Sequence, residues 1–563
     1  MNNYKHISFV TAVTVNLFIF LVCFCLGEKF CLGVSDDYFM ARILEGIYGD
    51  DYNVHMVFVN VLYGYALLPL YHLFPSVGWY YVGEIAAVFI SFTTVSYVTI
   101  KKLGLQWGTI LSALLVACFA RDFYLTVQFT QCAAALGAAG MLLLVYNLDC
   151  EFVEKKTFPF VLFLLMWGFC MRSDAFLMGI PFCALSLMFF VKKIIDNKRK
   201  FILCVVLVFL GLMGCKYLNE VHYTTLEYKK YSEFQPHRVM LGDKDNYDKG
   251  AVYDEIEEDG MYGEDYSMLL NWIFYDSETF CVDSLKRTTD KILKYASPLK
   301  IPALPTKALY RFDNSITHPC CWAYILICLI LLYSGRKKSL YAWGVLAILL
   351  ALMAYLVYLM RMVYRVETGL FFYATVLAIP LLKEMRSISN HRFTMLLVFF
   401  AIAYILCFYF TGSCQRSISS GSLIDVSRKK TVLSGYSAVW DYMDSLPSNT
   451  VFVVPMNTYW SFAGYRGPLY RSEPIGSWKR IICIGFWTPY FPDVEFSLKE
   501  FGIENPIRDV VKENVVFVGN NEILLDFLHR HYSENISVDT LRDINGVKFL
   551  KYSNGGTDEK RQN

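Results

Sequence analysis

The chain has 563 residues, of which 55% are hydrophobic and only 18% charged. Soluble globular chains average about 25% charged, so this composition, with a mean hydropathy of +0.38, points to a membrane protein. A net charge of +2 leaves no nucleic-acid footprint. No CxxC, HExxH or other regular His/Cys ligand spacing occurs among the 17 cysteines, so neither a structural zinc site nor a disulfide framework is expected.

Residues 7–27 form an apolar run behind a basic start at Lys5 and His6. Its length, and the lack of a small-residue cleavage site after it, favour a retained transmembrane helix over a signal peptide. The stretch VSDDYFMARILEGIYG follows at 34–49. Ser35 is a suitable N-cap, and Asp36 and Asp37 fall in the first turn, where the helix dipole favours carboxylates. Phe39, Ile43 and Ile47, with Met40 and Leu44, make an apolar stripe. Helical phase sets Asp36 above that stripe and Asp37 above Ala41 and Glu45, on the polar side. Partial desolvation of Asp36 would raise its basicity, which suits a general base. Plain capping accounts for the same pair equally well.

The remaining apolar runs are 54–74, 78–100, 106–120, 124–146, 158–170, 175–191, 201–218, 321–334, 340–360, 366–382 and 393–411. Basic residues mark the cytoplasmic loops: Lys101-Lys102, Lys155-Lys156, 192–200, 336–338 and 383–392. These agree with one another if the N-terminus is cytoplasmic and every run from 78 onward crosses. Residues 54–74 then cannot cross, and Asn60, Gly64, Pro69 and His72 suit an interfacial or re-entrant helix. The alternative is that 54–74 spans and one loop breaks the charge rule.

About eleven spans follow, with juxtamembrane helices in an outer loop over 28–77. A large outer loop covers 219–320 and is acidic and rich in Tyr. Its DKDNYD at 243–248 fails the spacing of a calcium loop. Residues 1–411 thus read as a transmembrane domain and 412–563 as an extracytoplasmic α/β domain. In the latter, VFVVP (451–455), RIICIGF (480–486), VVFVG (515–519) and VKFLKY (547–552) read as strands, and EILLDFLHRHY (522–532) as a helix. No nucleotide-binding motif is present in it. NIS at 535–537 is a glycosylation sequon by pattern.

Ionisable residues near spans gather on the outer side. They are Arg121 and Asp122, Arg172 and Asp174, and Arg361, Arg365 and Glu367, with Glu84 in the outer third of its helix. Spans of 13 to 15 residues cover only roughly 20–23 Å of an about 30 Å hydrocarbon layer. That sinks the arginine–acid pairs below the surface and suggests an outward cavity. Snorkelling and local ion pairing is the plainer account of each residue taken singly.

This order of parts resembles the GT-C superfamily of membrane glycosyltransferases: a first span, an outer loop opening on SDDY at 35–38, a second surface helix, many spans and a C-terminal α/β domain. The arginine–acid pairs at 121–122 and 172–174 resemble outer-loop positions of that family. The resemblance implies an α-helical polytopic fold and an inverting transfer from a polyprenyl-phosphate-linked sugar to an extracytoplasmic glycan or cell-envelope polymer. It implies Asp36 as general base, with Asp37 orienting the acceptor or binding a metal. Arg121, Arg172, Arg361 and Arg365 would bind the donor phosphate, supported by Asp122, Asp174, Glu84 and Glu367. No cofactor is certain; divalent metal use varies across the superfamily. The rivals are a polysaccharide polymerase or ligase acting on lipid-linked glycans, a transporter or flippase, and a scaffold presenting the tail. Transport fits poorly, because the midplane is nearly bare apart from Asn16 and scattered Ser, Thr and Tyr.

Overall fold

The computed structural model describes residues 2–26, 31–32, 35–149, 157–242, 261–295, 318–333, 335–359, 362–382, 394–395, 398–400, 438–463, 469, 473–519 and 523–555. Among these, six helical stretches are long and apolar enough to cross a membrane: 5–25, 79–103, 105–125, 129–148, 198–223 and 337–358. Shorter apolar helices lie at 61–73, 158–171, 173–188 and 319–332.

In chain order, α1 (Asn2–Leu26) leads to the short helix α2 (Ser35–Leu44). Helix α3 (Val61–Leu73) is N-capped by Asn60, whose side chain accepts from the Leu62 amide. Its 13 residues reach about 20 Å. Helices α4 (Trp79–Leu103) and α5 (Leu105–Ala120) form a hairpin about Gly104, which has φ +86°. A π-turn, Arg121–Leu125, then closes α5. There, β2 (Thr126–Val127) pairs in parallel with β1 (Cys31–Leu32) and ties the first loop to the start of α6 (Phe129–Asp149).

Helices α7 (Phe158–Met171), α8 (Ser173–Leu177), α9 (Ile180–Met188), α10 (Val191–Asp196) and α11 (Lys198–Tyr223) follow. Helix α11 runs five residues beyond the apolar run that announced it at 201–218. The long segment after it, read as a large loop over 219–320, carries α12 (Leu226–Gly242), α13 (Gly263–Leu270) and α14 (Val282–Tyr295). The acidic stretches at 243–248 and 254–260 lie outside the described residues. Helices α15 (Pro319–Tyr333), α16 (Arg336–Tyr358) and α17 (Tyr364–Val376) complete the bundle. Of the run at 393–411, only 394–395 and 398–400 are described.

The C-terminal part holds a five-stranded sheet in the order β4-β3-β5-β7-β6. Strands β3 (Val451–Val454), β4 (Ile481–Cys483) and β5 (Val515–Val518) are parallel to one another and fully buried. Strands β6 (Ile536–Ile544) and β7 (Val547–Asn554) add an antiparallel edge hairpin. Helices α18 (Met456–Ala463), α19 (Pro492–Glu500) and α20 (Ile523–His531) accompany the sheet.

Helix α2 is enclosed between the bundle and this C-terminal part. Phe39 packs edge-on to Phe486 at 4.8 Å, the Gly476 and Trp478 amides donate to the Gly46 and Ile47 carbonyls, and the Tyr48 and Tyr459 hydroxyls share a hydrogen bond. Buried Arg42 pairs with Glu45 at 2.8 Å and with Glu473 at 2.7 Å. The polar side predicted for this helix therefore does not face water: Ala41 and Glu45 are as buried as the apolar stripe.

Candidate active site

The two acids of α2 have different surroundings: Asp36 shows the partial desolvation expected of it, and Asp37 departs from the expected polar side. Asp37, expected on the wet side, is fully buried, whereas Asp36 is half-buried and the more accessible. Asp37 is enclosed by the bundle, through Tyr80, Glu84 and Phe129, whereas Asp36 meets the C-terminal part at Trp487.

Asp37 Oδ1 accepts from the Tyr80 hydroxyl at 3.0 Å and from the Phe129 amide, at the N-terminus of α6, at 3.1 Å. Its Oδ2 receives no donor, and neither do the two carboxyl oxygens of buried Glu84, which faces it. Two acids in contact without donors are best satisfied by sharing one proton. Burial pushes Asp37 up to about 7, against the hydrogen bonds that hold its charge.

Asp36 Oδ1 accepts from the Trp487 indole N–H at 3.3 Å. Burial raises the Asp36 pKa, and Arg365, the Trp487 hydrogen bond, Arg172 and Arg238 pull the other way, so all three cations act on it. Arg172 caps α7 with an extended backbone and reaches Thr130 Oγ1 at 3.4 Å. Its guanidinium lies over the rings of Phe129, at 5.0 Å, and Phe58, at 5.5 Å. Burial and then the like charge of Arg365 lower Arg172, partly offset by Asp174, Asp36 and Asp37. Two guanidiniums that repel one another beside a carboxylate make a place where a further anion relieves strain.

The indole of Trp487 lies against the Arg238 guanidinium at 3.7 Å and edge-on to Phe58 at 4.5 Å. Arg238 is fully buried and also covers Trp272, at 5.0 Å. Around this stack, Trp272, Phe486 and Tyr490 hold φ of 61°, 61° and 62°. Left-handed backbone at a non-glycine residue costs about 1–3 kcal/mol, and such residues concentrate at functional sites. Neighbouring Gly485 is tied to glycine by space, since a Cβ there would meet the Trp272 carbonyl oxygen at 1.8 Å. Trp487 and Arg238 were missed from sequence. The aromatic run GFWTPYF at 485–491 is the available signal, and it reads only as the end of a buried strand.

The other predicted residues scatter. Arg121 and Asp122 sit in the π-turn, and no interaction resolved for them leads to Asp36. Asp122 meets His318 Nε2 at 3.2 Å and Cys320 Sγ at 3.7 Å, and Arg121 and Glu367 act on His318. Asp174 is exposed, Glu367 is buried, and Arg361 lies outside the described residues. Asp122, His318 and Cys320 place one oxygen, one nitrogen and one sulfur within 4.8 Å of one another, all buried. That donor set suits a zinc-like divalent ion. The Cys320 amide donates to His318 Nδ1 at 3.2 Å, which leaves the neutral ring's proton on Nε2. Metal binding there would have to displace that proton.

No protein-family model and no curated protein matches the chain. Among solved structures it is similar to the archaeal oligosaccharyltransferase AglB from Archaeoglobus fulgidus in complex with an inhibitory peptide and a dolichol-phosphate. That likeness has a TM-score of 0.44 and 12% identity and covers 99% of this chain and 74% of that one. It is also similar to ArnT from Cupriavidus metallidurans bound to undecaprenyl phosphate, with a TM-score of 0.39 and 10% identity, over 96% of this chain and 97% of that one. A further likeness, to the Archaeoglobus fulgidus oligosaccharyltransferase in complex with Zn and sulfate, has a TM-score of 0.41 and 11% identity, over 91% of this chain and 67% of that one. These likenesses are distant in sequence and in shape, so the chemistry of this chain has to be read from its own residues.

Proposed function

We propose that this chain is a membrane glycosyltransferase that moves a sugar from a lipid-phosphate-linked donor to an acceptor hydroxyl, on the face of the membrane where α2 meets the C-terminal sheet. The observation that carries the proposal is the pairing of a half-buried carboxylate, Asp36, with two mutually repelling arginines, Arg172 and Arg365, beside an aromatic wall. An acid with raised basicity is a proton acceptor. Arginines held apart from full neutralisation are an anion clamp. Indole and phenyl faces suit the apolar face of a sugar ring. The SDDY resemblance gives these parts a common reaction.

In that reaction the acceptor oxygen attacks the anomeric carbon from the side opposite the lipid phosphate, inverting the centre. The bond between that carbon and the phosphate oxygen breaks, and the phosphate leaves with the electron pair toward Arg172 and Arg365. The acceptor proton passes to Asp36. Trp487 holds the Asp36 carboxylate, and Arg238 holds Trp487. Asp37 and Glu84 together carry about one negative charge when they share a proton, which limits the repulsion on the ionised Asp36 that accepts the proton. A divalent ion at Asp122, His318 and Cys320 would supply Lewis acidity some way from Asp36.

Mass spectrometry of surface glycans from cells with and without the protein tests this. One glycan species should lose a single sugar unit in the protein's absence. An Asp36→Asn variant, with membrane levels matched, should restore it about 10²–10⁴-fold more slowly than the unaltered chain. Full restoration by Asp36→Asn would remove Asp36 as the base. An unchanged glycan profile would remove the transferase assignment itself. Polymerisation or ligation of whole lipid-linked glycans is the second reading, favoured if the profile changes by complete repeats.

A further inference from the structure

Away from Asp36, two thiols meet where α3, α7 and α11 converge. Cys170 is in the last turn of α7 and Cys215 in the outer third of α11. Both are buried and line the same groove, and the two thiols act on one another. Asn60 holds the two backbones together: its amide donates to the Cys170 carbonyl at 2.8 Å, and its Nδ2 donates to the Cys215 carbonyl at 2.8 Å. Asn219, one turn on from Cys215, accepts from the Val61 amide at 3.0 Å. A single buried cysteine is an ordinary small apolar filler. Two that act on one another from different helices, with both carbonyls fixed by one residue, are candidates for the proximity that a disulfide demands.

The pair also lines an apolar groove of about 520 Å³, with Leu67, Trp79, Phe163 and Trp167 among its other walls. Arg172 follows Cys170 by two positions. Whatever fixes α7 against α11 therefore fixes both this groove and the backbone that presents Arg172.

We propose that Cys170 and Cys215 form a disulfide that staples α7 to α11 at this groove. The oxidant is a disulfide-bearing thiol oxidant, either a protein or a small molecule such as oxidised glutathione. One cysteine thiolate attacks a sulfur of that disulfide and expels one of its thiols. The second cysteine thiolate then attacks the mixed disulfide and expels the other. The two cysteines lose two protons and two electrons, and the oxidant is reduced to two thiols. The reverse exchange reopens the staple.

Full-length protein in membranes is denatured directly in N-ethylmaleimide, digested without reductant and read by mass spectrometry. A second sample is first held with oxidised glutathione. A peptide joining Cys170 to Cys215 is expected in either sample, absent after Cys170→Ser or Cys215→Ser, with the remaining cysteine then alkylated. Thermal unfolding of the cross-linked protein should shift to lower temperature on adding reductant, and the double Cys170→Ala/Cys215→Ala variant should show no such shift. Recovery of Cys170 and Cys215 only as singly alkylated peptides, before and after oxidised glutathione, overturns the proposal. None of these readouts depends on glycosyl transfer, so failure here leaves the functional assignment standing, and the converse also holds.

Discussion

At Asp37 one carboxyl oxygen is doubly satisfied and the other faces Glu84 with no donor between them. Burial lifts Asp37 from 3.8 to about 7. The folded chain therefore holds more protons than the unfolded chain between those two values. Stability then falls as pH rises through that window, because unfolding releases the strained charge to water. An Asp37→Asn variant keeps an acceptor for Tyr80 and Phe129 and turns an amide N–H toward Glu84. It should lose much of the decline in melting temperature between about pH 4 and pH 7 that the unaltered chain shows. Parallel declines in the two proteins would mean that no proton is shared there. Sequence could place both acids in the first turn of a helix, because capping preferences are local. The burial of Asp37 depends on Tyr80, Glu84 and Phe129, which packing brings to it from 43 or more positions away, so it is not visible in the local pattern.

Helix α2 is held to the C-terminal part by one guanidinium between two acids. Arg42 meets Glu45, Glu473 and the Tyr38 hydroxyl, and all the acidic partners are buried. Removing the cation strands two carboxylates, whereas removing one acid leaves an intact pair. Arg42→Met should therefore cost about 3–5 kcal/mol, and Glu473→Gln only about 1–2 kcal/mol, read as the order of their melting temperatures. Equal losses would mean that the cluster is not a clamp. Elements of this region differ in how plainly the sequence announced them. Strands β3, β4, β5 and β7 are apolar runs and fall where the runs predict. Strand β6 is ISVDTLRDI, mostly exposed and paired only to β7, so it carries no hydrophobic signature. Helices α12 to α14 are likewise mixed in composition, and no element is read from the sequence within 219–320. The proposed site is legible only in part: Asp36, Arg172 and Arg365 act on one another, whereas Trp487 and Arg238 reach them through long-range packing.

Across the whole molecule, helix direction separates the basic residues from the site. Helix α4 begins near Asp37, through Tyr80 and Glu84, and ends on Lys101 and Lys102, about 25 Å further along its axis. Helix α11 begins on Lys198, Arg199 and Lys200 and ends beside the first loop, where His222 packs on His55 and Asn219 caps toward Val61. Helix α16 begins on Arg336, Lys337 and Lys338 and runs toward the turn before Arg365. Three independent helices thus carry lysine and arginine at the end away from α2 and the sheet. Lys and Arg enriched at one end mark the cytoplasmic side, so the sheet and the paired aspartates should face outward. Single cysteines introduced at Asp539 on β6 and at Lys337 on α16, both exposed positions, separate the two sides. In intact cells a membrane-impermeant maleimide should label the Asp539→Cys chain above the level of the unaltered chain. It should label the Lys337→Cys chain only after the membrane is opened. The reverse pattern would turn the molecule over and place its carboxylate and arginines in the cytoplasm, where an extracytoplasmic acceptor could not reach them.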